Sequence, residues 1–319
     1  MDTKDMLNND VTPVGEGKDG KDLKRVFIFL GLVFVLTYLY EIIFVVIPIR
    51  NNADQNIANR SLWVALAMFM PAVCVFITRL VTKEGFKDHN LKIRLKEGRY
   101  KYYLLAWFAP SVITILGTLL YFACFKGDFS ADMKFLIDTY EKQGVSGITP
   151  EAARITIISQ AVTAIIIGPV INCITCFGEE WGWRGYLLMK LKDRLSPLPL
   201  MLVTGVIWGL WHMPLTIVGH NYGTDYAGYP YLGVLAMVVF CCTIGALFSY
   251  VTLKSGSCVP AIIGHGAINS FAAIGIYFTK DGGHMLFGPS PSGLIAGIPL
   301  LILAVILIWF MTKDEEIQK

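Results

Sequence analysis

Long apolar runs separated by short polar segments dominate the chain. Because a helix needs roughly 20 residues to cross about 30 Å of hydrocarbon, runs of this length predict transmembrane helices. The runs lie at 26–48, 61–81, 102–125, 155–191, 198–219, 230–253, 258–278 and 293–311. The fourth run is too long for one straight crossing, and Gly168-Pro169 predicts a break that leaves the crossing at about 170–191. The pattern therefore predicts an all-α integral membrane protein with about eight transmembrane helices.

Positive charge alternates between the segments that join these runs. Of the 27 Lys and Arg residues, 20 fall in the first tail, the 79–101 loop, the 184–194 stretch, the turn at Lys254 and the last tail. Since cytoplasmic segments of membrane proteins carry the excess of Lys and Arg, we expect both termini in the cytoplasm. The first run has no small-residue cleavage pattern, which indicates a retained helix rather than a signal peptide.

The connecting segments divide the chain into five parts. The polar residues 1–25 are typical of a disordered cytoplasmic tail. We then expect three helices with a basic cytoplasmic loop in 26–125, an extracytoplasmic loop in 126–154, a helical core in 155–278, and the last helix with a cytoplasmic tail in 279–319. The basic loop from 79 to 101 is interpreted either as a solvated loop or as a segment lying on the anionic inner leaflet.

Composition excludes several other classes of protein. Hydrophobic residues make up 55% of the chain and charged residues 16%, with a mean hydropathy of +0.57, which is far from an ordinary soluble domain. The net charge is only +3 and forms no single basic stripe, so nucleic acid is not an expected partner. The seven cysteines lie in or beside apolar runs, which does not indicate an extracellular disulfide framework. Cys173 and Cys176 have CxxC spacing, but without a second pair they are interpreted as packing thiols.

Ionisable side chains inside a membrane are costly and usually face a cavity or a partner, so each is a functional candidate. The polar candidates within the runs are Glu41, Glu179, Glu180, Arg184, His212, His265 and Asn269. In the segment GEEWGWRG, Glu180 and Arg184 lie four residues apart on one helical face and predict an ion pair. Glu179, about 100° away around the helix, is then left without a counter-charge and can exchange protons as a general base or acid.

Two more segments bring polar side chains together at helical spacing. WGLWH places Trp208 and His212 four residues apart, so the indole is expected to pack against the imidazole and hold its orientation. HGAIN places His265 and Asn269 on one helical face, where both can donate to a developing oxyanion. At a helical rise of 1.5 Å per residue, four of these side chains lie about 12 to 21 Å below the predicted cytoplasmic surface. They are Glu179, His212, His265 and Asn269, and we expect them to meet.

Four polar residues fall outside this constellation. Glu41 lies in the outer half of the first run, where it lines a vestibule or pairs with a polar group that the sequence does not identify. His89, His220 and His284 fall in loops or at interfaces, and none of them is assigned to catalysis.

In order and spacing, EEWGWR, WGLWH and HGAIN resemble the three motifs of the CPBP family of intramembrane proteases. This family groups the CAAX prenyl proteases with bacteriocin-processing and immunity-associated (Abi-like) proteins. Its motifs are Glu-Glu-xxx-Arg, Phe-xxx-His and His-xxx-Asn or Asp. The chain departs from them only at Trp208, where the family usually has Phe. The resemblance covers about residues 155–278, so the helical core is expected to be CPBP-like.

The resemblance implies a role for each matching residue. Glu179 and His212 are expected to activate a water that attacks the scissile carbonyl, and His265 with Asn269 to stabilise the oxyanion. The residues with a supporting role are Glu180, Arg184 and Trp208. Members of the family are often classed as metalloendopeptidases, and Glu179, His212 and His265 are a candidate zinc set. Because these ligands come from three helices without HExxH spacing, we expect no obligatory metal or other cofactor.

The sequence therefore predicts an intramembrane endopeptidase of the bacterial cytoplasmic membrane. Its partners are the bilayer and a membrane-proximal, lipidated or leader-type peptide, cut in a cavity open to the cytoplasmic side; no oligomeric state is indicated. One alternative is a non-catalytic bacteriocin-immunity or scaffolding protein of the same fold. A second is a proton-coupled transporter, which the lack of an internal repeat disfavours.

Overall fold

The fold is built from helices. The computed structural model describes residues 18–51 and 57–314, and in these ranges it contains no β-strand, only an isolated bridge between Phe129 and Thr279. The predicted all-α class is confirmed. In chain order the helices are α1 (Lys18–Glu41), α2 (Ile47–Arg50), α3 (Ile57–Ala67), α4 (Met70–Val81), α5 (Tyr100–Cys124), α6 (Lys134–Lys142), α7 (Pro150–Ile166), α8 (Gly168–Gly182), α9 (Leu188–Leu191), α10 (Pro197–Trp211), α11 (Met213–Ile217), α12 (Tyr231–Ser255), α13 (Val259–Phe271) and α14 (Ile298–Lys313).

Several of these helices are long and apolar enough to cross a bilayer. Within the described residues, five qualify by length and composition: Gly20–Arg50, Arg60–Val81, Tyr100–Cys124, Tyr231–Ser255 and Val259–Phe278. The pair α7 and α8 makes a sixth if it counts as one span, and α10 and α14 are shorter apolar helices. The chain is thus a multi-pass membrane protein, while the number of eight crossings and the side of the termini stay predictions.

The boundaries differ from the sequence expectations in two places near the ends of helices. The first helix begins at Lys18, so residues 18–25 are helical instead of belonging to a disordered tail, because the first apolar run extends its helix into the polar segment. Residues 1–17 lie outside the described residues. The expected loop 126–154 contains the amphipathic helix α6 and the first turn of α7, which starts at Pro150 behind a Thr149 cap.

The predicted break at Gly168-Pro169 is confirmed, because α7 and α8 meet there at 55°. A second break was not predicted: the run 198–219 is divided at His212 into α10 and α11. Pro214 explains it, since a proline removes the helical hydrogen bond to the carbonyl four residues earlier. That carbonyl, of Leu210, instead accepts a hydrogen bond from the Tyr38 hydroxyl at 2.5 Å.

Two pairs of glycines, each four residues apart, allow the central helices to approach closely. A Cβ at Gly178 would lie 2.4 Å from the Met68 carbonyl oxygen, and one at Gly182 would lie 2.4 Å from Cβ of Pro71. Gly205 and Gly209 on α10 face α12 in the same way, at 2.5 Å from the Cα atoms of Cys242 and Val238. Small residues at this spacing are typical of tightly packed membrane helices. The two pairs set the distances of α8 and α10 from their neighbours.

The connections fall on two faces of the helix bundle. One face, called the basic face here, joins the start of α1, the 82–99 loop, α9, the α12–α13 turn and the end of α14. Lys190 Nζ lies 2.7 Å from Asp22 Oδ1 there, and the Arg99 guanidinium donates to the Ser255 carbonyl at 3.0 Å. On the opposite face the Tyr222 hydroxyl donates to the Ser292 carbonyl at 2.9 Å. The connections of the described residues therefore alternate between two opposite faces.

Candidate functional site

Glu179 lies in the last turn of α8 and contacts α10 directly. The Trp208 indole N–H donates a hydrogen bond to Oε2 of Glu179 at 2.8 Å. The glutamate is 2% exposed, so a charge-assisted bond in this setting is stronger than one in water. The indole therefore fixes one oxygen of the carboxylate and leaves Oε1 to other partners. Trp208 was expected to orient His212, so this contact adds to its predicted role.

Glu180 connects the other two charged residues of the site. Its Oε1 accepts hydrogen bonds from Arg184 Nη1 at 3.0 Å and from His265 Nδ1 at 2.8 Å. The predicted Glu180–Arg184 ion pair is confirmed, and both side chains are buried. The guanidinium also lies 4.1 Å from the centre of the Trp208 ring, a cation–π contact. One carboxylate thus holds the arginine of its own helix and the histidine of α13.

His212 lies at the break between α10 and α11. Its Nδ1 is 2.9 Å from the carbonyl oxygen of Trp208, four residues earlier. A carbonyl can only accept, so the neutral imidazole carries its hydrogen on Nδ1 and its lone pair on Nε2. The ring also packs against the Trp208 ring, with centroids 5.7 Å apart. The expected Trp208–His212 contact is present, and the backbone carbonyl is what orients the imidazole.

A single cavity of about 120 Å³ joins these side chains. This is well above the 10–15 Å³ or so that one water needs. Its polar lining comes from Glu179, Trp208, His212, His220, Asn221, His265 and Asn269. Apolar residues of α3 and α12 complete the wall, among them Val64, Met237, Phe240 and Ile244. The structure therefore brings the four predicted catalytic residues to one cavity.

Asn269 is the one member of the constellation on the rim. It is exposed, whereas His265, one turn earlier on α13, is buried. The Asn269 amide lies 3.6 Å from the Cys176 thiol, a contact too weak to fix it firmly. Its side chain is therefore available to a ligand in the cavity. Cys173 and Cys176 are free thiols on α8, and Cys176 is fully buried, which agrees with packing roles.

The candidate zinc set finds no support in the side-chain arrangement. Among residues 18–51 and 57–314, no three His, Cys, Asp and Glu side chains are arranged to hold a metal ion, and Glu179, His212 and His265 are no exception. One oxygen of Glu179 is turned to the indole instead.

The remaining polar candidates fall in different places. Glu41 is fully buried, and neither of its oxygens has a hydrogen-bond partner among the described residues. His220 lines the cavity, and burial lowers the pKa of its imidazole. His284 lies on the opposite face, 5.1 Å from the Phe125 ring. His89 belongs to the 82–99 loop, where its carbonyl accepts from the Trp181 indole at 3.1 Å.

Asn90 is a positioning residue that the sequence did not reveal. The helix carrying Glu179 and Glu180 continues as a π-helical turn over Trp183–Leu187, and Asn90 Nδ2 donates to the Gly185 carbonyl within this turn at 3.0 Å. The Asn90 carbonyl accepts from the backbone N–H of Cys258, which caps α13, at 2.8 Å. Asn90 therefore ties the helix of the two glutamates to the helix of His265. A positive φ of 56° at this residue fits the tolerance of Asn for left-handed backbone.

Comparison with known proteins agrees with this geometry. Residues 160–271 match a family model described as "Type II CAAX prenyl endopeptidase Rce1-like". All three motifs lie inside this segment, so the predicted likeness to the CPBP family is confirmed.

Two curated proteins match over parts of their length. The chain is 33% identical over 92 residues to CAAX prenyl protease 2 of Methanococcus maripaludis, which is 28% of this chain and 34% of that protein. It is 26% identical over 249 residues to lysostaphin resistance protein A of Staphylococcus haemolyticus, which is 76% of this chain and 58% of that protein. The chain thus spans less than two thirds of either relative.

Proposed function

We propose that this protein is an intramembrane endopeptidase that hydrolyses a peptide bond with a water activated by Glu179 and His212. The observation that supports this most strongly is the convergence of a carboxylate, two imidazoles and an amide from three helices on one cavity. The likeness of residues 160–271 to CAAX prenyl endopeptidases adds independent support.

Water activation uses two groups that line the cavity, the carboxylate of Glu179 and the imidazole of His212. Oε1 of Glu179 and the lone pair on Nε2 of His212 both accept hydrogen bonds, so a water between them is held by its two hydrogens. When its oxygen attacks the carbonyl carbon, Glu179 takes one proton. The same proton then goes to the nitrogen of the breaking C–N bond, which leaves as an amine. General-base catalysis of this kind contributes about 10²- to 10⁴-fold.

The oxyanion is stabilised from α13. A protonated His265, whose Nδ1–H is held by Glu180, presents Nε2–H, and Asn269 presents its amide N–H one turn further on. With both glutamates ionised and His265 and Arg184 protonated, the four charges cancel, so the site can be buried without a net charge. A positive imidazolium beside the developing negative oxygen stabilises the transition state more than the substrate.

The substrate class follows from the walls of the cavity. The lining of α3 and α12 is apolar, so the site favours an extended peptide with apolar side chains next to the scissile bond. A membrane-proximal segment of a lipidated or leader-type peptide fits this chemistry. The experiment that names the substrate compares the peptidome and secretome of a null strain with those of strains carrying the wild-type protein or Glu179→Gln. Peptides that accumulate equally in the null and Glu179→Gln strains support hydrolysis, whereas a Glu179→Gln strain identical to wild type overturns it.

A non-catalytic binding protein of the same fold is the second candidate. The match over 76% of the chain to a protein named for lysostaphin resistance favours it. Such a protein tolerates Glu179→Gln in a cell-protection assay, because the change keeps the shape of the side chain. Loss of protection in Glu179→Gln, together with protection in a surface variant such as Lys92→Gln, favours the peptidase.

A further inference from the structure

The cavity is closed toward the basic face. All eleven residues from Gly178 to Leu188 are buried, and so are residues 243–249 of α12 beside them. The 82–99 loop covers this end through the hydrogen bonds from Trp181 to His89 and from Asn90 to Gly185. In the described part of the chain, these packed segments therefore separate Glu179 from the basic face.

The cavity extends toward the opposite face. His220 and Asn221, in the connection between α11 and α12, belong to its lining. Asn269 is exposed and lies ten residues beyond the start of α13, about 15 Å from the basic-face end of that helix. The open end and the 218–230 connection thus lie on the same side.

Charge distinguishes the two faces. Among the described residues, the segments of the basic face carry 18 Lys and Arg residues and those of the opposite face carry seven. One of the 18, Arg184, is buried in the site, and leaving it out of the count does not alter the asymmetry. The excess of Lys and Arg marks the cytoplasmic side of a membrane protein. The closed end of the cavity then faces the cytoplasm.

We infer that the site opens to the extracytoplasmic side and takes the extracytoplasmic segment of an exported or membrane-anchored polypeptide. That the bound segment is cleaved rests on the proposed function. The side of the membrane to which the cavity opens does not depend on it. The sequence expectation of a cavity open to the cytoplasm does not fit the lining observed here. A cytoplasmic C-terminal peptide would have to pass the packed residues around Arg184 or cross the membrane to reach Glu179.

Thiol labelling tests the inference without any substrate. Native Cys124 is exposed at the opposite-face end of α5, and Asp225 and Lys92 are exposed in the connections of the two faces. Right-side-out and inverted vesicles carrying wild type, Asp225→Cys, His220→Cys or Lys92→Cys are treated with a membrane-impermeant maleimide. Mass spectrometry identifies the labelled peptides, so the native cysteines stay in place.

In right-side-out vesicles, we expect label on Cys124 and on the cysteines introduced at positions 220 and 225, and no label at position 92. In inverted vesicles, we expect label at position 92 and none at the other three positions. Labelling at position 220 only in inverted vesicles overturns the inference. Should the His220→Cys chain fail to fold, Asn269→Cys takes its place, because this exposed position also lines the cavity and labelling does not require catalysis. Labelling does not depend on catalysis, whereas the failure of the proposed function appears as missing hydrolysis in detergent, where both sides are accessible.

Discussion

The indole N–H of Trp208 donates to Oε2 of Glu179 across 2.8 Å, although 29 residues separate them in the chain. The family to which this segment is similar usually has Phe at this position, and Phe cannot donate. Trp208 therefore fixes one oxygen of the Glu179 carboxylate through a donor that Phe would not supply.

Trp208→Phe removes the donor and keeps an aromatic ring in place. Hydrogen bonds to charged groups contribute about 1.5–3 kcal/mol, so we expect kcat/KM for peptide cleavage to fall roughly 10- to 100-fold with little change in folding. The matched control is Trp107→Phe, which removes an indole hydrogen bond to the Ile165 carbonyl at 2.8 Å, at a residue that does not line the cavity of Glu179. Equal losses of activity in the two variants would contradict a specific role for the Trp208 donor.

Glu180→Gln leaves Arg184 and His265 without their shared counter-charge. Breaking a buried ion pair by removing one partner costs about 3–5 kcal/mol, so we expect a marked fall in the midpoint of thermal unfolding in detergent. Adding Arg184→Gln to the same chain removes the orphaned charge, and the double variant is expected to be more stable than the sum of the single changes implies. Strict additivity in this double-mutant cycle would show that the two side chains do not interact.

Asn90→Gly tests the link between the helices of Glu179 and His265. Glycine accepts the positive φ of this position, so the variant removes the amide bond to Gly185 and leaves the backbone link to Cys258 possible. We expect kcat to fall while KM stays within about twofold, with a stability loss of about 1 kcal/mol. Asn90→Ala adds backbone strain of about 1–2 kcal/mol and is expected to be less stable than Asn90→Gly. A variant with unchanged kcat would restrict Asn90 to a structural role.

Removal of metal ions is expected to leave hydrolysis intact. The described side chains are not arranged to hold a metal, and the proposed water activation uses Glu179 and His212 directly. Purified protein is dialysed against a chelator, its metal content is measured, and kcat/KM is compared before and after. Loss of activity that returns with one equivalent of zinc would show that a metal is required.

The sequence anticipated the relations that lie within one helix. The Glu180–Arg184 pair and the break before Pro169 follow from local periodicity and from proline, and both are present. The second break at His212 was missed, although Pro214 two residues later was the available signal. Glycines four residues apart at 178 and 182 were a second overlooked sign, because they predict close contact with another helix.

Contacts between helices could not be read from periodicity. The bonds from Trp208 to Glu179 and from His265 to Glu180 join residues 29 and 85 positions apart, so they depend on how the helices pack. Asn90 lies in a loop whose composition suggested only positive charge, and nothing in the sequence relates it to Gly185. Depth counting did place the four proposed catalytic residues at similar levels, because helical rise is nearly constant.

The central claim is that Glu179 activates the water that cuts the peptide bond. Its most direct test is single-turnover cleavage, in ¹⁸O-labelled water, of the peptide that accumulates in the null strain, by wild type and by Glu179→Gln. We expect one ¹⁸O atom in the new carboxyl group with the wild-type protein, and a rate at least about a hundredfold lower with Glu179→Gln. Cleavage by Glu179→Gln at the wild-type rate would contradict the claim.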